Sequence, residues 1–307
     1  MELNENANID TSQIDDERGS GGGGGGFGGL PIGGGGLTGI IVTILLALVG
    51  GYFGINNLSG GGTSSAPQTG NNDKLKQECA QKTALKQLDC RNTLYVNSIQ
   101  AFWREQLPTS FGKTYQPATT VFFSTAVRTG CGRASSGTGP FYCPSDDRVY
   151  IDLTFYRLLA DQLGAPGEFA QPYVLAHEYG HHVQDLVGTE AAMRRAQQRD
   201  PGAANQLSVK LELQADCYAG VWAKGATGTT DNKGLKLFKS LTAEDIQQGL
   251  QTASKIGDDT LQKRSGGTVN PAEFTHGTSA QRQQWFGTGY NKADPKACDT
   301  FAAGAVS

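Results

Sequence analysis

"VLAHEYGHHVQDL", Val174 to Leu186, carries three of the four histidines in the 307-residue chain. Its apolar positions and freedom from proline read as a helix, and on a helix each residue turns about 100° around the axis. His177 and His181 then lie about 40° apart around the axis and one turn apart along it, so their rings converge on one point. His182 lies about 140° from His177 and is left out. Glu178 sits to the side of the pair, where a carboxylate can reach a water held between the rings without binding the ion itself. H-E-x-x-H on a helix is the spacing of a two-histidine zinc site with a glutamate base. A core helix with incidental histidines is the bland alternative.

A catalytic zinc needs a third protein ligand and an open position. The metzincin pattern puts glycine at 184 and histidine at 187, where this chain has Gln184 and Val187. Asp185 shares the face but lies about 12 Å along the axis from His177. A second helix must supply the ligand, and "LELQADCYAG" offers Glu212 and Asp216 at i, i+4. The expected arrangement has Glu212 on the metal and Asp216 accepting the free ring N–H of a ligating histidine, which fixes its tautomer. The reverse assignment and a solvated helix face are the rivals. The fourth histidine, His276, stands in "THGTSAQRQQW", on a loop just ahead of a helix whose Thr278-x-x-Gln281 reads as a capping box. Such a histidine can stabilise a developing oxyanion, with Arg282 orienting it or adding charge. A structural histidine is the alternative.

Outside these motifs the chain is uneven. A net charge of −3 leaves no footprint for nucleic acid. Residues 1–36 read as a disordered segment, acidic and then glycine-rich, in which Arg18 is the one basic residue among the first eighteen. "LTGIIVTILLALVGGYFGI", Leu37 to Ile55, is uncharged and long enough to cross a bilayer core of about 30 Å. Residues 37–58 are therefore expected to form a membrane anchor, 59–72 a flexible linker, and 73–307 the folded domain. Six cysteines follow the anchor, none in a C-x-x-C pair, which suits disulfides in an oxidising compartment. Proximity favours Cys79–Cys90 and Cys131–Cys143, leaving Cys217 with Cys298; six free thiols are the alternative. These features predict a single-pass protein with its N-terminus cytoplasmic and its domain extracytoplasmic (periplasmic in a diderm bacterium).

Helical periodicity runs from Asp73 to about Leu107, closed by Pro108. "TTVFFSTAV" and "DRVYIDL" read as strands. Helices are expected over 154–163, 169–186 and 204–225, and again after Thr242 and Thr278. The fold class is α+β: a mostly helical zincin-like domain with a small β-sheet, preceded by a disordered tail and one transmembrane helix.

"LPIGGGG", "GPFYCPSDDRVYIDLTF", "HEYGHHVQ", "LELQADCYAGVW" and "FTHGTSAQR" together resemble the bacterial neutral zinc metallopeptidase family of single-pass membrane proteins, along nearly the whole chain. The last two also resemble the E-x-x-x-D and T-H-x-x-x-x-x-R segments of membrane zinc peptidases acting on prenylated and misfolded membrane proteins. That resemblance implies transition-state roles for His276 and Arg282, although Gly277 stands where those relatives have proline. The implied function is a membrane-anchored zinc endopeptidase holding one Zn2+ on His177, His181 and Glu212. Its partners are the lipid bilayer and a peptide or protein substrate, with "DRVYIDL" as an edge strand for the substrate backbone. An inactive zinc-binding scaffold and a zinc hydrolase of non-peptide envelope substrates are the alternatives.

Overall fold

The structure, a computed structural model, describes residues 1–19, 69–165 and 167–306. The histidine motif lies on α4, Ala170–Val187, and the Glu212/Asp216 motif on α6, Ala204–Gly225. These two helices pack side by side, and α9, Ser279–Lys292, lies along the other flank of α6. Helix α2, Leu88–Phe111, supports α4 from behind. Shorter helices complete the helical layer: α1 Thr69–Cys79, α3 Phe155–Asp161, α5 Thr189–Arg199, α7 Ala243–Lys255 and α8 Asp258–Arg264. Capping boxes at Thr242 and Thr278 start α7 and α9 where the sequence places them.

The principal sheet has the order β2-β3-β7-β6, from β2 Ile14–Asp16, β3 Thr119–Phe122, β7 Arg148–Ile151 and β6 Phe141–Cys143. β2 and β7 each run parallel to β3, and β6 closes one side antiparallel to β7. Two small pairs, β1 Glu2–Leu3 with β8 Phe238–Ser240 and β4 Ala126–Thr129 with β5 Gly132–Ser135, complete the β structure. One continuous core joins α2, α4 and α6 around fully buried Trp103, Tyr173, Tyr179 and Trp222.

Several expectations are corrected. The first nineteen residues are ordered, because their charges find partners: Arg18 bridges Asp16 at 2.6 Å and Asp89 at 2.8 Å. Ile14 is buried in the core and β2 is hydrogen-bonded to β3. The expected linker is helical from Thr69. The periodic run from Asp73 breaks into α1 and α2 at a corner. Cys79 and Cys90 are bridged with Cα atoms 5.3 Å apart, whereas eleven residues of straight helix would separate them by about 16 Å. Pro108 stands inside the last turn of α2, which ends one turn later on left-handed Gly112. "DRVYIDL" forms β7, which is paired on both sides, so the sheet edge it was expected to provide is β6 instead.

All three expected disulfides are present: Cys79–Cys90, Cys131–Cys143 and Cys217–Cys298. The expected anchor, 37–58, lies outside the described residues, among which no helix is long and apolar enough to cross a membrane.

Candidate metal centre

Helices α4 and α6 cross closely at Gly180. A Cβ built there would come within 3.0 Å of both the Cα and the carbonyl oxygen of Ala215. Gly180 lies between the two motif histidines, and Ala215 lies between Glu212 and Asp216. The absent side chain therefore lets the two functional faces meet. Across this contact Glu212 Oε2 lies 3.1 Å from His177 Nε2, and Oε1 lies 3.4 Å from His181 Nε2. Ligand atoms of His177, His181 and Glu212 all fall within 4.8 Å of one another.

The outward ring nitrogens decide the tautomers. His177 Nδ1 donates to Asp216 Oδ1 at 2.9 Å, and His181 Nδ1 donates to Gln184 Oε1 at 2.8 Å. Gln184 is itself oriented by donating to Leu211 O at 2.7 Å. Both Nε2 atoms are thus directed at Glu212. Zinc bonds of about 2.1 Å in a tetrahedron place neighbouring ligand atoms roughly 3.4 Å apart, and the three ligand atoms, all within 4.8 Å of one another, are close enough to converge on one ion. Two imidazoles and one carboxylate are also the donor types zinc takes in a catalytic site. The residues fit the ion.

The electrostatics agree. Burial disfavours the His177 imidazolium, but Asp216 and Glu212 outweigh it and raise the group to about 10. Burial likewise opposes the charge on Glu212, yet the flanking histidines hold it well below the usual carboxylate range. The same pocket that attracts a proton between Nε2 and carboxylate will attract a cation in its place. Glu178 behaves differently. Burial raises it, against the pull of His177, His181 and the backbone N–H of Tyr142 in β6.

Behind the ligands runs a buried polar chain. Asp216 is fully buried; burial opposes its charge, but Arg282 and His177 bring it down to about 2. Arg282 Nε donates to Asp216 Oδ2 at 2.7 Å and Nη2 to Oδ1 at 3.0 Å. Tyr173, one turn before His177 on α4, donates to the same Oδ1 at 2.6 Å. Tyr173 and Gln184 escaped the sequence reading, although both stand at helical spacing from a motif histidine.

His276 lines the same pocket as the three ligands, and Arg282 reaches its wall from α9. His276 Nδ1 faces Asp258 Oδ1 at 3.2 Å, while Asp258 Oδ2 accepts the backbone N–H groups of Thr275, His276 and Gly277 at 2.7 to 3.0 Å. Gly277 takes φ 93°, so the loop adopts a conformation that a side chain would strain. Asp258 had no sequence signal pointing to it. His182 bonds elsewhere, to the carbonyl of Gln116 at 2.7 Å and the Tyr142 hydroxyl at 3.2 Å. The remaining pocket wall is apolar, with Phe155, Leu163, Val174, Ile256 and Leu261, and Gly139 and Pro140 lead into β6.

A family model described as "Putative neutral zinc metallopeptidase" matches residues 3–301. The chain is similar to uncharacterized protein YpfJ of Escherichia coli (strain K12), 41% identical over 267 residues, 86% of each chain. It is also similar to uncharacterized protein Rv2575 of Mycobacterium tuberculosis (strain ATCC 25618 / H37Rv), 47% identical over 218 residues, 70% of this chain and 71% of that one. No solved structure matches it significantly. The match over nearly the whole length, on a chain whose two motif helices bring His177, His181 and Glu212 together, means that it belongs to the neutral zinc metallopeptidase family.

Proposed function

We propose that the protein is a zinc-dependent endopeptidase, with His177, His181 and Glu212 as metal ligands and Glu178 as general base. The observation that carries this reading is the convergence of those three ligand atoms, with the Glu178 carboxylate on the next residue of α4 and the pocket open beside it. Zinc held by His177, His181 and Glu212 would supply the Lewis acidity that lowers a water's pKa and polarises a peptide carbonyl. Glu178, buried and raised, accepts the proton of the attacking water and returns it to the leaving amine. His276, paired through Nδ1–H with the Asp258 carboxylate, would as an imidazolium turn its Nε2–H to the oxyanion. Asp216 and Gln184 hold the ligand rings in the tautomer that leaves Nε2 for the metal.

The substrate reading follows from the walls. An extended peptide laid along the free side of β6 passes Glu178 through Tyr142, and the apolar wall of Phe155, Leu163, Val174, Ile256 and Leu261 accepts a bulky apolar side chain next to the scissile bond.

The deciding experiment is Glu178→Gln in the full chain. Zinc content and thermal stability should match wild type, while cleavage of a quenched peptide library falls at least 100-fold. A variant that binds zinc and cleaves the library at the wild-type rate would remove the mechanism.

A further inference from the structure

The beginning of the chain and the domain after residue 68 are one folded body. β2 adds a parallel strand to β3 in the register Ile14↔Thr120, Asp15↔Val121, Asp16↔Phe122, and Glu17 N continues the ladder to Phe122 O at 2.8 Å. Asp10 and Asn97 exchange two hydrogen bonds of 2.9 Å, and Gln100 donates to Gln13 at 2.9 Å. The point where the chain leaves this body and the point where it returns are bonded to each other. Asp16 N donates to Asn72 Oδ1 at 2.6 Å, and Asn71 Nδ2 donates to Arg18 O at 2.5 Å. Arg18 in turn ties Asp16 to Asp89 of α2. The family model begins at residue 3 and so includes this segment.

The apolar run Leu37–Ile55 lies between these two bonded points in sequence. A single crossing would place Arg18 and Asn71 on opposite faces of an apolar layer about 30 Å thick, which no hydrogen bond spans. It would also strip β3 of a strand partner and leave Asp89 without Arg18. The two requirements exclude each other.

We propose that residues 1–19 lie on the same side of the membrane as the metal centre. A common side for both differs from the expected cytoplasmic N-terminus with an extracytoplasmic domain. The acidic segment is then part of the domain's sheet.

The test uses the full chain in sealed native membranes. Asn6→Cys and Lys113→Cys, both at exposed positions, are labelled separately with a membrane-impermeant maleimide before and after permeabilisation. The expected result is that both label from the same side. Labelling from opposite sides overturns the proposal. A second measurement guards against a local disturbance at either position. Asp15 and Arg148 form an ion pair of 3.2 Å, so Asp15→Cys with Arg148→Cys should be joined by a short bis-maleimide in intact membranes. Failure to cross-link, with both thiols shown to react singly, also overturns it.

Discussion

Arg282 and Asp216 form a two-point ion pair in which both partners are buried, and the Asp216 oxygen that receives Arg282 Nη2 also receives His177 Nδ1. The guanidinium therefore acts on the metal centre through a carboxylate and an imidazole. Contacts with Ile256 O at 3.3 Å and the Tyr173 hydroxyl at 3.4 Å hold the fork in that plane, with Nη2 3.4 Å from His177 Nδ1. This is a positioning geometry, in which Arg282 reaches the ligand His177 through Asp216. Arg282→Met leaves the buried Asp216 charge to His177 and the Tyr173 hydroxyl, without its cationic partner. Zinc affinity, measured by chelator competition, should drop about 10- to 100-fold, with a stability loss of about 3–5 kcal/mol in urea unfolding. A variant with normal zinc affinity and a defect confined to kcat would return Arg282 to the reacting atoms.

Gly180 makes a sharper demand on the helix pair. Its neighbours across the crossing are backbone atoms of Ala215, which cannot swing aside, so Gly180→Ala must push α4 and α6 apart. The expected cost is about 1–3 kcal/mol, with a fall in zinc affinity because His177 and His181 recede from Glu212. Ala215→Gly in the same chain removes the 3.2 Å contact with the Ala215 Cβ but not the two backbone contacts. It should therefore restore only part of the loss, a coupling that a double-mutant cycle will read. Full additivity of the two changes would refute the close-approach argument.

The contrast between Gly180 and Asp258 explains what the sequence could disclose. His177, His181 and Glu178 share one helix, so spacing alone places them. Glu212 and Asp216 follow by the same rule on a second helix, once the chemistry demands a third ligand. The Cys79–Cys90 bridge was legible as a pairing, but the helix break it requires was masked by continuous apolar periodicity. Asp258 lies eighteen residues before His276 at the start of a different helix, and only the tertiary fold brings the two together. Likewise β2 has the composition of a solvated tail. Its order comes from Arg18, Asp89 and the open edge of β3, none of which is a local property.

Asp258 also sets a pH dependence. Burial opposes its charge, but His276 and the three backbone donors outweigh burial and keep the carboxyl below its ordinary value. A depressed folded-state value means that the stabilisation is complete above the unfolded value of about 3.9 and is lost as pH falls through the folded one. Asp258→Asn should destabilise the protein by about 2–3 kcal/mol at pH 7. The gap from wild type should narrow only in the acid range, below about pH 4. Peptide hydrolysis should fall as well, because the His276 loop loses its anchor, while zinc content stays normal. A gap that is constant from pH 7 to pH 3 would show that the carboxylate charge contributes nothing there.

The Cys217–Cys298 bridge bears on the centre from the other side of α6, because Cys217 directly follows Asp216. Its sequence separation of 81 is the largest of the three disulfides. A closed loop of that length removes about 4.5 kcal/mol of chain entropy from the unfolded state, against about 3 kcal/mol for a fifteen-residue loop. Gln214 also donates to Cys298 O at 2.9 Å, so the bridge and this bond together hold the chain end on α6. Replacing both cysteines by alanine should lower the urea midpoint more than the same change at Cys131 and Cys143. Zinc affinity should survive, because His177, His181 and Glu212 are aligned by the α4–α6 contact at Gly180 and not by the bridge. Loss of zinc from a double-alanine variant that still unfolds cooperatively would mean that the C-terminal strap, and not that helix contact, sets the ligand geometry.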